Sequence, residues 1–332
     1  MNLKSIEYFL TVAEELNVTR AAERLVISQQ ALSGHIRRLE EEYSVELFYR
    51  KPVFRLTPAG QQMVFFGKQI LQSESSLRAA LSDITENARA TLRLGISRLR
   101  SDAFFPPILK RFSPSHPNIS IELLDGNSQR LEELLQSGKI DLYIGLDAPE
   151  APNQHRIRLA EERLQCCFTE GLLKQYFPDS WQELLQSFSE GADLLKLMGL
   201  PLISLRQGNK LRTNLDQFLS HYTSPNYVLE CEQQSLIYRF AREGMGVGLV
   251  SPVALYAHAG DAPVPDSYGP GAKKEKEPFY SFPVKNNLPP YVTWLVYRSD
   301  AAVPGFLQDF IRDTQAVFRQ YANSVTRNYT AG

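Results

Sequence analysis

Between Ile27 and Tyr43 the chain reads ISQQALSGHIRRLEEEY, and its polar residues are of kinds that recognise hydrogen-bonding edges. Gln29 and Gln30 each carry an amide that donates and accepts together. Ser33 adds a hydroxyl and Arg37 a forked guanidinium. On base-pair edges, Gln matches adenine, Arg matches guanine, and Ser accommodates several bases. Ser28 is the residue type that caps a helix start. Gly34 costs roughly 1 kcal/mol against Ala inside a helix. Close approach of the helix to a partner is one reason to keep it, and an exposed, tolerated glycine is the other. Further on, Arg50, Lys51 and Arg55 supply charge suited to phosphates.

Periodicity supplies the elements that would position these groups. Leu32, Ile36, Leu39 and Tyr43 form one apolar stripe at helical spacing, opposite the polar face. LKSIEYFLTVAEEL and VTRAAERL read as two preceding helices, with Thr19 as a cap for the second and Ala21 and Ala22 small enough for close helix packing. VELFYRKPVFRLT reads as a hairpin with Pro52 at its tip. Three short helices and a hairpin make a winged helix-turn-helix, whose second paired helix enters a DNA major groove. Charge complicates this. Residues 1–60 hold eight basic and eight acidic side chains, so only segregation makes a basic face, with Glu40, Glu41 and Glu42 turned away.

Thr57-Pro58 then opens a long helix, a cap followed by proline at the first position, running to about Arg89. Met63, Phe66, Ile70, Leu77, Leu81 and Ile84 keep a narrow apolar seam along it. Such a seam suits a second copy of the chain, with packing on its own domain as the alternative.

Composition bounds the rest. With 332 residues, 43% of them hydrophobic and 22% charged, the chain has material for two or three domains with real cores. A net charge of -1 gives no global basic signature, so nucleic-acid binding requires a local surface. No apolar run reaches the roughly 20 residues that span a bilayer, and the first residues lack a secretory pattern. Three cysteines, two of them adjacent at Cys166 and Cys167, suit neither a disulfide framework nor a zinc site, and a cytoplasmic setting follows. No cofactor and no metal is expected. From Thr91 strands and helices alternate as βαβαβ, twice over, which predicts parallel sheets covered by helices. Residues 260–290 read as loop-rich, and the chain closes with the strand YVTWLVYR and a helix.

Residues 1–60 resemble the DNA-binding domain of LysR-type transcriptional regulators. The matching string is Phe9, Ala13, Ala21-Ala22, Leu25, Ser28-Gln29, Ser33, Ile36, Leu39-Glu40, Leu47-Phe48, Arg50, Leu56-Thr57 and Ala59-Gly60. The segments PPILKRFSPSHPNISIELLDGNSQRLEELLQSGKIDLYIG and AREGMGVGLVSP are similar to the family's effector domain. Four departures stand out. Ser44 replaces a usual Gly, which predicts a less tight turn; Gln30 replaces a common Pro; Ser251 intervenes before Pro252; and residues 261–290 do not align.

The resemblance implies an α/β chain: an N-terminal winged helix-turn-helix (1–60), a dimerising linker helix (57–90), and a periplasmic-binding-protein-like effector domain. The latter's two subdomains would be 91–163 with 290–322, and 164–289. It implies homodimers that pair into tetramers, double-stranded promoter DNA as partner, and a small-molecule effector that retunes the DNA contact. By family position the effector would meet Ser97, Arg98, Leu99 and Arg100 in the loop after the first strand, Asn127 and Ser128 before the next helix, and Leu146 near the crossover. In the second subdomain it would meet Arg206, Gln207, Glu232 and Gln233. Arg98, Arg100 and Arg206 together suit a carboxylate or phosphate, whereas Glu232 suits an amine.

Two rival readings are open. A redox sensor on the same scaffold would use Cys166, Cys167 and Cys231, although buried strand cysteines are the plainer account. An enzyme would need a motif the chain lacks. There is no nucleophile elbow, P-loop, GxGxxG strand-to-helix turn or HExxH, and the histidines have no ligand-like spacing.

Overall fold

The computed structural model describes residues 2–82, 90–222, 225–258, 277–299 and 303–330. The head comprises α1 (Leu3–Glu15), α2 (Val18–Leu25), α3 (Gln29–Tyr43) and a hairpin of β1 (Phe48–Tyr49) and β2 (Arg55–Leu56). Phe9, Val12, Ala21, Ala22, Leu32, Ile36, Leu39, Leu47 and Phe48 close its core. Tyr43, expected on the buried stripe of α3, is 44% exposed, because the helix end projects beyond that core. Asn17 caps α2, not Thr19: its Oδ1 accepts from the Thr19 and Arg20 N–H groups. All three helices end on a non-glycine residue in the left-handed region, Leu16 (φ 45°), Val26 (φ 55°) and Ser44 (φ 52°). The turn at Ser44 is therefore as closed as a glycine would make it, with Val45 N–H donating to the Glu40 carbonyl at 3.0 Å.

Helix α4 (Pro58–Ser82) starts where Thr57 Oγ1 accepts the Gly60 N–H at 2.9 Å. A Cβ on Gly60 would sit 2.1 Å from the Leu47 carbonyl oxygen, so only glycine lets the helix meet the hairpin here. Twenty-five helical residues span roughly 37 Å. Phe65, Phe66 and Leu77 stand more than half exposed along it. The expected continuation to Arg89, with Ile84, lies outside the described residues.

The next strands and helices are β3 (Ala90–Ile96), α5 (Arg98–Phe112), β4 (Ile119–Asp125), α6 (Ser128–Gln136), β5 (Leu142–Leu146) and β6 (Gln154–Glu162). Then come β7 (Gln165–Thr169), α7 (Glu170–Tyr176), α8 (Trp181–Gln186), β8 (Leu202–Leu205), α9 (Lys210–Leu219), β9 (Tyr227–Cys231), α10 (Gln234–Arg242), β10 (Val247–Val250) and α11 (Pro252–His258). The chain ends with β11 (Phe279–Pro283), β12 (Tyr291–Arg298) and α12 (Gly305–Thr330).

Two five-stranded sheets result, ordered β4-β3-β5-β12-β6 and β11-β7-β10-β8-β9. The β3-α5-β4-α6-β5 run is parallel, as its alternation predicts. Antiparallel β12 and β6 extend that sheet. Two strands escaped sequence reading. β6 has a charged, only partly alternating pattern. β11 lies in the stretch read as loop, yet pairs with β7 from Phe279↔Thr169 to Pro283↔Gln165. Helix α11 leaves the second sheet and packs on the first: Val253 joins the core of α5 and α12, and Tyr256 stacks on Phe104 at 5.8 Å.

Candidate nucleic-acid interface and effector cleft

On α3 the apolar stripe faces inward and the polar residues face out. Leu32, Ile36 and Leu39 are buried, while Ser28, Gln29, Gln30, Ser33 and Arg37 are exposed. Ser28 Oγ accepts the Ala31 N–H at 3.2 Å and fixes the helix start. A Cβ on Gly34 would meet nothing nearer than the Arg38 guanidinium at 3.9 Å, so the fold itself supplies no need for glycine there. Arg38 bends back to the Gly34 carbonyl, its Nε donating at 3.2 Å.

Internal pairing resolves the charge balance of the head. Arg20 and Arg24 pair with Glu14 and Glu15 at 3.0–3.1 Å, on the side of α1 and α2. Arg37, Lys51 and Arg55 make no ion pair among the described residues. Arg55 instead lies over the Tyr49 ring at 4.8 Å. The acidic block does not all turn away. Glu40 is largely buried, accepting the Leu47 N–H at 3.0 Å and the Arg50 guanidinium at 2.7 Å. Arg50 thus braces the hairpin against α3, while Glu41 and Glu42 are exposed.

The second constellation lies where strands end. Ile96 pairs with Asp125 and with Ile144, which brings Ser97, Asn127, Ser128 and Leu146 to one edge of the first sheet. Ser97, Arg98, Leu99 and Arg100 form no loop: β3 passes directly into α5, with Ser97 at its cap position and the others in its first turn. The Ser97 side chain makes no capping bond, and its buried Oγ has no hydrogen-bond partner among the described residues. Ser128 Oγ accepts the Leu146 N–H at 3.1 Å, and Asn127 Oδ1 accepts the Arg130 N–H at 2.9 Å. Leu99 and Leu146 both pack against the core of the second sheet.

The expected cations fare differently. Arg98 is exposed and makes no ion pair among the described residues. Arg100 is only 3% exposed and cannot meet a ligand as a free cation. Its Nη2 donates to both carboxylate oxygens of Glu162 at 3.2 and 3.1 Å, and its Nε to Thr293 Oγ1 at 3.3 Å. Thr293 in turn donates to Glu162 at 2.8 Å. Arg206 lies 3.7 Å from Glu232, both largely exposed, at the ends of β8 and β9. Gln207 and Gln233 are exposed beside them. Sequence reasoning missed Lys210, whose Nζ donates to the Asp147 carbonyl at 3.3 Å and ties the two sheet edges together. It also missed the fate of Ser251, which is buried with its N–H bonded to Gln234 Oε1 at 2.6 Å and its Oγ unpartnered among the described residues.

Residues 3–61 match the bacterial regulatory helix-turn-helix protein model of the lysR family, and residues 85–266 match the LysR substrate binding domain. The chain belongs to the LysR family. It is a LysR-type DNA-binding transcriptional regulator with an effector-binding domain. The transcriptional regulator CysB of Haemophilus influenzae is 26% identical over 266 residues, 76% of each chain. The regulator cbl of Klebsiella aerogenes is 27% identical over 272 residues, 81% of each. A full-length OxyR variant from Pseudomonas aeruginosa shares the fold, with a TM-score of 0.64 at 20% identity, covering 96% of this chain and 95% of that one. CbnR complexed with its target DNA gives a TM-score of 0.57 at 18% identity, over 96% of this chain and 100% of that one.

The cysteines of this LysR-type chain sit in surroundings unlike those of reactive thiols, which are exposed and of depressed pKa. Cys166 and Cys167 are fully buried in β7, and burial pushes the Cys166 thiol up to about 12 and Cys167 higher still. Cys231, half-buried at the end of β9, is also shifted up by burial.

Proposed function

We propose that Ser28, Gln29, Gln30, Ser33, Gly34 and Arg37 on α3 enter the major groove of promoter DNA, while Lys51 and Arg55 on the hairpin hold phosphates. Arg50 belongs to this surface through its brace on Glu40. The carrying observation is the pairing pattern of the head, in which Arg20 and Arg24 are tied to acids and, among the described residues, Arg37, Lys51 and Arg55 are not. A second copy of the chain covers Phe65, Phe66 and Leu77 of α4, giving the dimer from which tetramers form. CbnR, by its description, binds a target DNA, and the same fold serves the same role here. The protein then acts beside the chromosome, in the cytoplasm, and not as an enzyme.

The effector site lies between the two sheet edges, and it takes a small anion. Arg98 supplies the exposed charge, and the buried, unpartnered Ser97 Oγ and Ser128 supply hydroxyls. Glu232 is drawn toward Arg206, which weakens the case for an amine. The effector acts only in so far as it binds two arrangements of the chain unequally.

Fluorescence anisotropy with a duplex selected from a random pool tests the DNA half. Arg37→Ala weakens binding by about 1–3 kcal/mol. Lys51→Ala weakens all sequences alike and flattens the salt slope by about one. Normal binding by both variants refutes the assigned surface. Thermal unfolding against a panel of carboxylates and phosphates tests the effector half: a stabilising anion loses its effect in Arg98→Ala, and persistence of the effect there removes Arg98 from the site.

A further inference from the structure

Helix α6 has the effector cleft at one end and the reading head at the other. Ser128 begins it, receiving the Leu146 N–H. Its nine residues span about 13 Å. Just beyond its end, Lys139 Nζ lies 2.8 Å from Glu14 Oε1, in the last turn of α1. Lys139 is itself fixed to the helix, because its N–H donates to the Leu134 carbonyl at 2.9 Å through the turn at Gly138 (φ 71°).

Helix α1 transmits what it receives. Ser5 Oγ lies 2.9 Å from His35 Nδ1 on α3, and Tyr8 meets the same imidazole edge-on at 4.8 Å. On another side, a Cβ on Gly67 of α4 would sit 2.9 Å from Ile6 Cγ2, so α1 and the linker helix are in tight contact. A continuous set of contacts therefore runs from the cleft through α6 and α1 to the helix carrying Gln29, Ser33 and Arg37.

We propose that the Lys139–Glu14 ion pair docks the reading head on its own effector domain, and that α6 conveys the state of the cleft to the head through it. This rests on the DNA reading above. The pair is about half exposed at Lys139 and a third at Glu14, so it is a weak restraint. A weak restraint is what a small effector can override, since a ligand shifts an equilibrium only by its differential affinity. Contiguity alone is not coupling, so the test measures coupling.

The full chain, mixed from unlabelled and 15N-labelled protein, is treated with a carbodiimide. The Glu14 carboxylate and the Lys139 amine condense to an amide as the reagent takes up the lost water and leaves as its urea. The expected product is a Glu14–Lys139 link within one isotopic species. A mixed-isotope link, or none in a sample where Glu170 and Lys174 (2.6 Å apart) do link, overturns the docking.

Anisotropy then compares Lys139→Met, Glu14→Gln and the double variant on a selected two-half-site duplex and on a single half-site. Each single change raises the Kd for the two-half-site duplex about two- to five-fold. Glu14→Gln also takes one of two carboxylates from Arg24, so the double variant loses no more than Glu14→Gln alone, and half-site binding is unchanged. Additive losses, or equal losses on the half-site, overturn the coupling. A wild-type chain that selects no duplex overturns the DNA reading, and the crosslink still decides the docking.

Discussion

Arg37 stands exposed on α3 without a carboxylate partner among the described residues, whereas Arg100, at the start of α5, is buried with its Nη2 and Nε groups engaged by Glu162 and Thr293. The same residue type therefore serves opposite ends in the two regions. In the head, acids are drawn to Arg20, Arg24 and Arg50, which leaves Arg37, Lys51 and Arg55 of the proposed reading surface without an ion pair among the described residues. In the effector region, the buried Arg100 is neutralised by Glu162, and it links α5, β6 and β12. Residue type identifies a candidate, but the partner within hydrogen-bonding reach decides whether it recognises a ligand or holds the fold.

Removing one side of the buried pair sharpens this contrast most. Glu162→Ala leaves the Arg100 guanidinium buried and unpaired, at a cost of about 3–5 kcal/mol. Thermal unfolding should show that loss, and the double change Arg100→Met, Glu162→Leu should recover much of it, because an apolar pair of similar volume carries no desolvation penalty. A loss under about 1 kcal/mol, in the range of an exposed pair, would mean that Arg100 is available to a ligand after all.

In the head the contrast predicts that stability and function separate. Gly34 meets nothing that excludes a methyl group. Gly34→Ala should therefore raise the stability of the head by up to about 1 kcal/mol while weakening duplex binding. Denaturant unfolding and anisotropy on the same preparation check both halves. Unchanged DNA binding in the stabilised variant would show that the groove does not come close at Gly34.

Legibility differed between the regions for physical reasons. The head's helices were readable because Leu32, Ile36 and Leu39 repeat at helical spacing and Ser28 caps as its type suggests. The strands β3, β4 and β5 were readable from alternation with helices. β6 was not, since QHRIRLAEE carries four charged residues on a strand with only two buried positions. Nor was β11, whose neighbours Pro, Gly and Lys read as loop. In the cleft, position relative to strand ends brought Ser97, Ser128 and Leu146 together, because parallel strands deliver their C-termini to one edge. The Arg100–Glu162 pair was hidden because its members lie 62 residues apart. The closed turn at Ser44 was hidden as well, since serine does not advertise the left-handed conformation that Glu40 and Glu41 carbonyls impose there.

The smallest expected effect concerns His35, which joins α1 to α3. Burial, then the Arg38 and Lys4 charges, hold its pKa below the ordinary histidine value. The unfolded chain therefore takes up this proton more readily than the folded one. Head stability from this group is intact above an unfolded pKa of about 6.5, and it falls as pH drops below that value. Unfolding measured between about pH 7.5 and 5.5 should show the decline, and His35→Gln should flatten it. Because the Ser5–His35 hydrogen bond also joins α1 to α3, beside the Phe9 and Val12 packing on Leu32 and Ile36, Ser5→Ala should weaken the non-additivity between Lys139→Met and Glu14→Gln on DNA. An unchanged double-variant result in the Ser5→Ala background would place the coupling on the apolar packing of α1, against α3 or against α4 at Gly67, and not on the Ser5–His35 bond.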